Sequence, residues 1–407
     1  MRRVVVTGMG GLTALGGAWP EIRAKMEAGD TGTRYMPEWE RLTDLNTRIG
    51  GAIDWFDHTK IYHRKKTRSM GRVAVLALNA AETALTQAGL LDDPVLKSGH
   101  AGVSCGSSFG ATEPMQDFAS FMTSGKAGSL NATSYIRMMS HTAPVNIAIT
   151  YGLTGRVITT SSACTSGSQG IGYAYEAIQN GHADIMLAGG AEQLCPSMAI
   201  VFDTLFATST RNDTPATASR PYDAGRDGLV IGEGAAMLVL EEFEHARARG
   251  AAPLAEIVAF TTNNDGTHVT HPEAQTQAVV MRSALAQAHL SACDIGFISG
   301  HGTATEWGDI AETQATAESY GRNIPFHSLK GHFGHSLGAC GAIEAWLSIC
   351  MIRDGWLPHT ANLTEVDPRC AELDYVMHEP RRIDVEHFAS NNFAFGGINT
   401  SLLFRRI

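Results

Sequence analysis

Four glycine-flanked clusters hold the residue types most suited to covalent and hydrogen-bonding chemistry. The first is Ser161-Ser162-Ala163-Cys164-Thr165-Ser166-Gly167, directly before a helical pattern that ends near Asn180-Gly181. The spacing puts Cys164 at a helix N-terminus, where unpaired amides and the helix dipole stabilise a thiolate, so a lowered thiol pKa and a usable nucleophile are predicted. A buried, inert cysteine is the ordinary alternative and suits the other six cysteines; for Cys164 the pattern alone leaves both open. The second cluster, Gly300-His301-Gly302-Thr303-Ala304-Thr305, follows an apolar strand, and its glycines permit close approach of a backbone or a ligand. The third, Lys330-Gly331-His332-Phe333-Gly334-His335-Ser336-Leu337-Gly338, leads into a helix. A lone histidine is most often a satisfied polar group, but two in separate glycine-rich strand-to-helix turns carry more weight. The fourth runs from Ser390 to Asn399 and contains Phe393, Phe395, Gly396 and Gly397. Its glycines would free amides to point at a ligand oxygen; a plain hairpin turn fits the spacing equally.

The elements that position these clusters read as strands alternating with helices, which implies parallel pairing and an α/β core. Short apolar runs at Val4–Thr7, Ala101–Cys105, 184–188, 237–240, 257–259 and 297–298 predict buried strands. Val73–Gly89 predicts a helix, and Ile343, Trp346, Leu347 and Cys350 predict another with one apolar stripe. The polar stretch Glu241–Gly250, followed by Pro253, divides the chain into two α/β halves, 1–250 and 251–407, with no repeat legible in the sequence itself.

Composition narrows the function classes. Lys and Arg number 31 against 41 Asp and Glu, a net charge of −10, which disfavours nucleic acid as a main partner. Apolar residues make up 44% and charged residues 18%, so a large core or subunit interface is expected. No run approaches the roughly 18 to 20 apolar residues of a membrane span, and Met1–Gly11 reads as a first strand. Seven scattered cysteines without a C-x-x-C pair argue against a disulfide framework and suit a reducing cytoplasm.

In this order, a Cys in SSACTSG, a His in HGTAT, Lys330 and His335 as K-x4-H, and a terminal NFAFGGIN closely resemble the β-ketoacyl-[acyl-carrier-protein] synthases of the chain-elongating type, including their type II polyketide and aryl-polyene branch. RRVVVTGMG at the start, GGAEQLCP at 189–196, STRND at 209–213 and SRPYDAGRDGLVIGEGAA at 219–236 extend the resemblance over nearly the whole chain. It implies a thiolase-like α/β fold of two similar halves stacked as α-β-α-β-α, forming a dimer across a strand edge. The implied reaction is decarboxylative condensation of malonyl-carrier protein with an acyl group held on Cys164, giving a 3-oxoacyl chain two carbons longer. His301 and His335 are then hydrogen-bond donors to the enolate, Lys330 supports the nearby charge, and the amides of Cys164 and Phe395 form an oxyanion hole, with Phe395 at the gate. Thr303, Thr305 and Phe393 bind substrate, while Asp309 and Glu312 order the site. Glu344 lies in an otherwise apolar helix and needs a buried lysine, histidine or monovalent cation beside it. The resemblance implies no cofactor of the protein's own, no metal, acyl-carrier protein as partner, and a homodimer or a heterodimer with a chain-length-factor-like homologue.

Three other readings compete. Gly8-Met9-Gly10-Gly11-Leu12-Thr13 after a strand is a partial dinucleotide fingerprint, with Thr13 where Gly or Ala is expected. His327, His332 and His335 form a weak metal pattern. A non-catalytic chain-length factor would share the fold, but such factors lack the nucleophile present here. Carrier docking is expected at the basic run His63–Arg68, through Lys65, Lys66 and Arg68, together with Arg211, which the resemblance places close to the pantetheine entrance. Phe109, after the strand ending at Cys105, falls where the resemblance implies a residue lining the acyl pocket at the dimer interface; a ring packed permanently between subunits fits the position equally.

Overall fold

A computed structural model describes all 407 residues. Ten strands carry the architecture: β1 (Val4–Leu12), β2 (Ala101–Gly106), β3 (Val157–Thr160), β4 (Ile185–Glu192), β5 (Gly234–Glu242), β6 (Ala255–Asn264), β7 (Ile295–Ser299), β8 (Pro325–His327), β9 (His387–Phe393) and β10 (Ile398–Arg406). Six helices matter to the site: α1 (Arg72–Ala88), α2 (Thr142–Tyr151), α3 (Ser166–Gln179), α4 (Ala274–Ala288), α5 (Glu306–Tyr320) and α6 (Cys340–Asp354).

The duplication hidden in the sequence is plain in the pairing. The first half orders its strands β3-β2-β4-β5-β1 and the second β8-β7-β9-β10-β6, which is one order twice. In each half the first three strands are parallel and the remaining pairs antiparallel. The halves join where Val4–Val6 pair antiparallel with Ala255–Ile257.

Two central helices, α3 and α6, pack on each other and touch strands of both halves; α1 and α2 cover the outside of the first half, and α4, with α5 packed on it, covers the second. The layers run α-β-α-β-α, as the resemblance implies. Burial follows the layering. In α6 the sequence predicts one apolar stripe, but the helix lies between two sheets, so nearly every residue is buried, Glu344 included.

The partial dinucleotide fingerprint resolves into packing. Gly8 and Gly10 stay inside β1 and no phosphate-binding turn follows. A Cβ at either would run into the backbone of α1 between Ala80 and Ala88, so these glycines admit the helix to the strand. This overturns the oxidoreductase alternative.

Candidate active site

Every catalytic candidate sits at the end of a strand or in the turn entering a central helix. Cys164 lies in the 3-10 turn Ala163–Thr165 that leads from β3 into α3. His301 follows β7, Lys330 and His335 follow β8, and Phe395 sits in the hairpin turn between β9 and β10. The two readings of the fourth cluster are therefore both correct, since the hairpin turn also presents its amide to the site. Gly396 and Gly397 hold φ of +95° and +80°, left-handed conformations that a side chain resists.

At the centre, His335 Nε2 stands 3.0 Å from Cys164 Sγ. Sγ and one ring nitrogen from each of His301 and His335 lie within 4.8 Å of one another, all buried. The two imidazoles meet edge to face at 5.2 Å. The backbone amides of Phe395 and Cys164 both point at the sulfur, the geometry of an oxyanion hole.

The thiol pKa runs opposite to the sequence expectation. Burial pushes Cys164 up to about 11, and the opposing pull of Lys330 and of the two amides does not offset it. The helix terminus that suggested a depressed value is present, but its sulfur is withdrawn from water, and desolvation outweighs the dipole. Cys164 is thus a thiol at rest. Alkylation by iodoacetamide should accelerate about tenfold per pH unit from pH 7 to 10; a plateau already reached at pH 7 would show a resting thiolate instead.

Both histidines are neutral. Burial first, then the Lys330 cation, holds His301 and His335 well below the usual histidine range. His301 Nδ1 faces the Lys330 ammonium at 3.2 Å, which can only donate, so the ring carries its proton on Nε2. His335 Nδ1 has no hydrogen-bond partner. An orphaned acceptor is cheaper to bury than an orphaned N–H, so this ring also carries its proton on Nε2, directed at the sulfur.

Burial alone would lower Lys330, but Glu344, together with Cys340 and Glu312, holds the lysine above its ordinary value, as an ammonium. It also donates to the His301 carbonyl at 2.6 Å. Asn392 Nδ2 takes the other Glu344 oxygen at 2.6 Å. Glu344 therefore has both oxygens occupied by side chains, and the lysine among the three expected partners is the one found.

The His301 loop is held by carboxylates. Glu312 accepts from the amides of His301 and Gly302 and from the Tyr222 hydroxyl; Asp309 accepts from the amides of Thr303 and Tyr222. Burial raises Glu312 to about 7 and Asp309 to about 6. Gly302 has a left-handed φ of +32°, and a Cβ there would strike the Tyr222 ring.

A cleft of about 430 Å³ reaches down to Cys164, His301 and His335. Thr303 and Thr305 line it with their hydroxyls 2.8 Å apart, and Phe393 lies edge-on to His301 at 6.0 Å. The Phe395 ring meets Phe202 at 5.8 Å, and both line the cleft that holds Cys164.

Some expected residues lie elsewhere. Phe109 is 37% exposed and does not line this cleft; it stands on the surface beyond the end of β2, next to the free edge strand β3. Lys65, Lys66 and Arg68 line no part of the cleft either. Lys66 pairs with Glu82 at 3.4 Å and covers the Tyr62 ring, whereas Arg211 is drawn to Asp227 on the cleft wall at 3.5 Å. His332 Nε2 sits on the His359 carbonyl at 2.9 Å, and the ring nitrogens of His327, His332 and His335 do not converge, so the weak metal pattern does not assemble.

Sequence reasoning missed three contributors. Asn392 lies within a quoted motif but carried no assigned role. Buried Glu192 binds the Ser108 amide at 2.7 Å and the Gly338 amide at 3.2 Å, tying the turn after β2 to the turn entering α6; its position at a strand end after two glycines was the available signal. Nothing distinguishes Phe202 in sequence.

Residues 1–246 match the protein family described as "Beta-ketoacyl synthase, N-terminal domain" and residues 254–364 match "Beta-ketoacyl synthase, C-terminal domain". The chain is 34% identical to 3-oxoacyl-[acyl-carrier-protein] synthase 2 of Vibrio harveyi over 413 residues, covering 100% of this chain and 99% of that protein. Among solved structures it is similar to a beta-ketoacyl synthase from Burkholderia phymatum, with a TM-score of 0.98, 54% identity and full coverage of both chains. It is also similar to the ishigamide ketosynthase/chain length factor, with a TM-score of 0.92, 30% identity, and coverage of 100% of this chain and 99% of that one.

Proposed function

The chain belongs to the beta-ketoacyl synthase family, and on that premise we propose how its residues divide the work of an acyltransferase that makes 3-oxoacyl-acyl-carrier protein. The reaction is decarboxylative condensation of a malonyl unit with an enzyme-bound acyl group, in fatty-acid or polyketide elongation.

In the first half-reaction the Cys164 sulfur attacks the thioester carbonyl of an acyl group on carrier-bound pantetheine. The tetrahedral oxyanion takes hydrogen bonds from the amides of Cys164 and Phe395, the carbon–sulfur bond to pantetheine breaks, and the departing sulfur takes the proton that Cys164 gives up. The His335 Nε2–H stabilises negative charge on Cys164 as it forms. In the second half-reaction malonyl-pantetheine occupies the cleft, its thioester oxygen between the N–H groups of His301 and His335. Loss of carbon dioxide leaves an enolate there, and its carbon attacks the Cys164 thioester; the new carbon–carbon bond forms, the carbon–sulfur bond breaks, and the released Cys164 thiolate takes a proton from solvent to restore the thiol. Neutral imidazoles suit this task, because they donate to an enolate without an added positive charge to desolvate. Lys330, Glu344 and Asn392 hold His301 in its donor tautomer, Asp309 and Glu312 hold its loop, and Thr303, Thr305 and Phe393 flank the pantetheine arm.

One observation carries the reading: a thiol 3.0 Å from one imidazole, with a second imidazole converging on it below two free amides. Incubation with acyl-carrier protein and malonyl-carrier protein should release carbon dioxide and yield a 3-oxoacyl chain two carbons longer. Carbon dioxide release without a longer product would leave only a decarboxylase.

The free edge of β3, with Val157 exposed, supports a dimer across that edge, either between two copies or with a chain-length-factor-like homologue. There a partner would cover Phe109 and bring it to the acyl pocket. Exposed Lys65 and Arg68 are assigned to attracting an acidic carrier protein from a distance, with Lys66 and Arg211 contributing less because each is already paired. A monovalent cation near Glu344 would share carboxylate oxygens that already accept from Lys330 and Asn392. No helix is long and apolar enough to cross a membrane, in keeping with a cytoplasmic enzyme. The working division of the chain is 1–250, carrying the nucleophile, and 251–407, carrying both histidines and the gate.

A further inference from the structure

Glu192, the last residue of β4, is fully buried, and every hydrogen bond of its side chain comes from a neutral donor. Oε1 accepts from Ser107 Oγ at 3.1 Å, and Oε2 accepts from the Ser108 amide at 2.7 Å, the Ser108 hydroxyl and the Gly338 amide at 3.2 Å. Burial raises its carboxyl to about 7. A carboxylate withdrawn from water with no cation beside it is among the costlier groups a core can hold, and no step of the condensation uses it. Such a group beside a reacting centre is a candidate for a functional role.

The donors belong to two turns, and each turn leads to one member of the thiol–imidazole pair. On one side Ser108 carries the contact onward, because its carbonyl accepts from Ser161 Oγ at 3.3 Å, close before Cys164 in the chain. On the other side Gly338 follows closely on His335. Neither turn has slack. A Cβ on Gly338 would come within 2.5 Å of the Ser108 nitrogen and 2.8 Å of Glu192 Oε2. One on Gly190 would come within 2.5 Å of the Gly338 carbonyl oxygen and 2.9 Å of Gly167 Cα in α3. The entrances of both central helices and the turn after β2 therefore meet in close backbone contact around the end of β4.

Strain marks the same two entrances. Ala163, next to Cys164, and Leu337, next to Gly338, hold left-handed φ of +48° and +43°, which a side chain resists. Such conformations persist only where the surroundings over-determine them. At Leu337 the hold includes the Gly338 amide bound to Glu192; at Ala163 it includes Ser166 Oγ, which donates to the Ala163 carbonyl at 2.7 Å. The charge of Glu192 also reaches the nucleophile, adding to the burial that is the main cause of the raised Cys164 thiol.

We infer that Glu192 is a positioning residue for the Cys164–His335 pair: its carboxylate clamps the turn that braces Ser161 to the turn that follows His335, and so sets the 3.0 Å approach of imidazole to sulfur. This rests on the condensing reading above. Glu192 does not line the cleft, so loosening the clamp leaves substrate binding in place while thiol and imidazole drift apart. A misplacement of about 1 Å at a reacting centre costs about a hundredfold in rate.

Acylation of Cys164 by an acyl-N-acetylcysteamine thioester, which needs no carrier, tests this in Glu192→Ala and Glu192→Gln. Alanine leaves two buried amides without an acceptor, whereas the glutamine oxygen can take both. The expected result for Glu192→Ala is an acylation rate at saturating thioester lowered at least about tenfold, with KM changed less than about twofold. Glu192→Gln should return the rate to within about threefold of wild type. It also removes the charge, so iodoacetamide should alkylate Cys164 about two- to threefold faster at about pH 8 in that variant, a change that a purely structural role would not produce. Should Glu192→Ala fail to fold, Ser161→Ala cuts the same link at an exposed residue. That variant should slow acylation about threefold with thermal unfolding unchanged. A rate within about 1.5-fold of wild type in Glu192→Ala, or in Ser161→Ala where Glu192→Ala does not fold, would overturn the proposal. So would Glu192→Gln as slow as Glu192→Ala, or unchanged alkylation in Glu192→Gln. Iodoacetamide reads the thiol whatever acyl group the enzyme accepts, and a wild type that takes up no acyl group would count against the condensing reading alone.

Discussion

Cys164→Ala is expected to abolish condensation, by at least about 10⁴-fold, because alanine can fill the turn before α3 but cannot form a thioester. The loss should come without unfolding. Cys164 is a small side chain in a turn whose hydrogen bonds are made by its neighbours: Ser166 Oγ accepts from the Ser162 amide at 2.9 Å, and Thr165 Oγ1 donates to the Ser162 carbonyl at 2.8 Å. Thermal unfolding of the variant should therefore stay near wild type. Cys164→Gln separates the half-reactions further. Its neutral amide imitates the acylated state, so malonyl decarboxylation should persist or rise while no longer chain is made. Elongation by Cys164→Ala at a near wild-type rate would remove Cys164 as the nucleophile.

The second large effect concerns the two imidazoles. His301→Ala and His335→Ala should each reduce decarboxylation by about two to three orders of magnitude, the usual cost of one lost donor to a developing oxyanion. The variants should differ in the first half-reaction. His335 Nε2 touches the sulfur at 3.0 Å, so its loss should also slow acylation of Cys164, whereas His301 acts on the enolate and its loss should slow acylation less. Rapid-quench measurement of each half-reaction distinguishes the roles; equal losses in both for His301→Ala would contradict the division. Histidine variants are the better probe than Lys330→Ala. Removing the lysine leaves Glu344 buried and unpaired, which costs about 3–5 kcal/mol of stability and confounds the kinetics.

The sequence was most informative where chemistry is set by residue type at a strand end. His301 stands in a glycine-rich turn after a predicted strand, Cys164, Lys330 and His335 in small-residue turns leading into predicted helices, and the two halves, joined antiparallel, bring those turns to one place. Glu312 and Asp309 were legible through the family resemblance, and the structure supplies the reason, since both carboxylates accept from amides of the His301 loop. Environment was not legible. The helix terminus at Cys164 argued for a low pKa, but the sign is decided by burial between two sheets, which only the assembled layers create. The partner of Glu344 was open for the same reason, and so was the role of Asn392, since both depend on side chains meeting from different strands. Gly8 and Gly10 imitated a phosphate-binding turn because glycine spacing alone does not reveal whether a ligand or a helix makes the close approach. The basic run at 63–68 was visible, but its separation from the cleft belongs to the tertiary structure.

The central claim is that Cys164 carries the acyl group. Intact-protein mass spectrometry after incubation with a panel of acyl-carrier proteins, followed by peptide mapping, tests it most directly. The expected result is one added acyl mass per chain, located on the peptide containing Cys164 and absent from Cys164→Ala, with the extent of labelling ranking the preferred acyl groups. Labelling of another residue, such as the buried Cys340 behind the nucleophile, or equal labelling of Cys164→Ala, would contradict the claim.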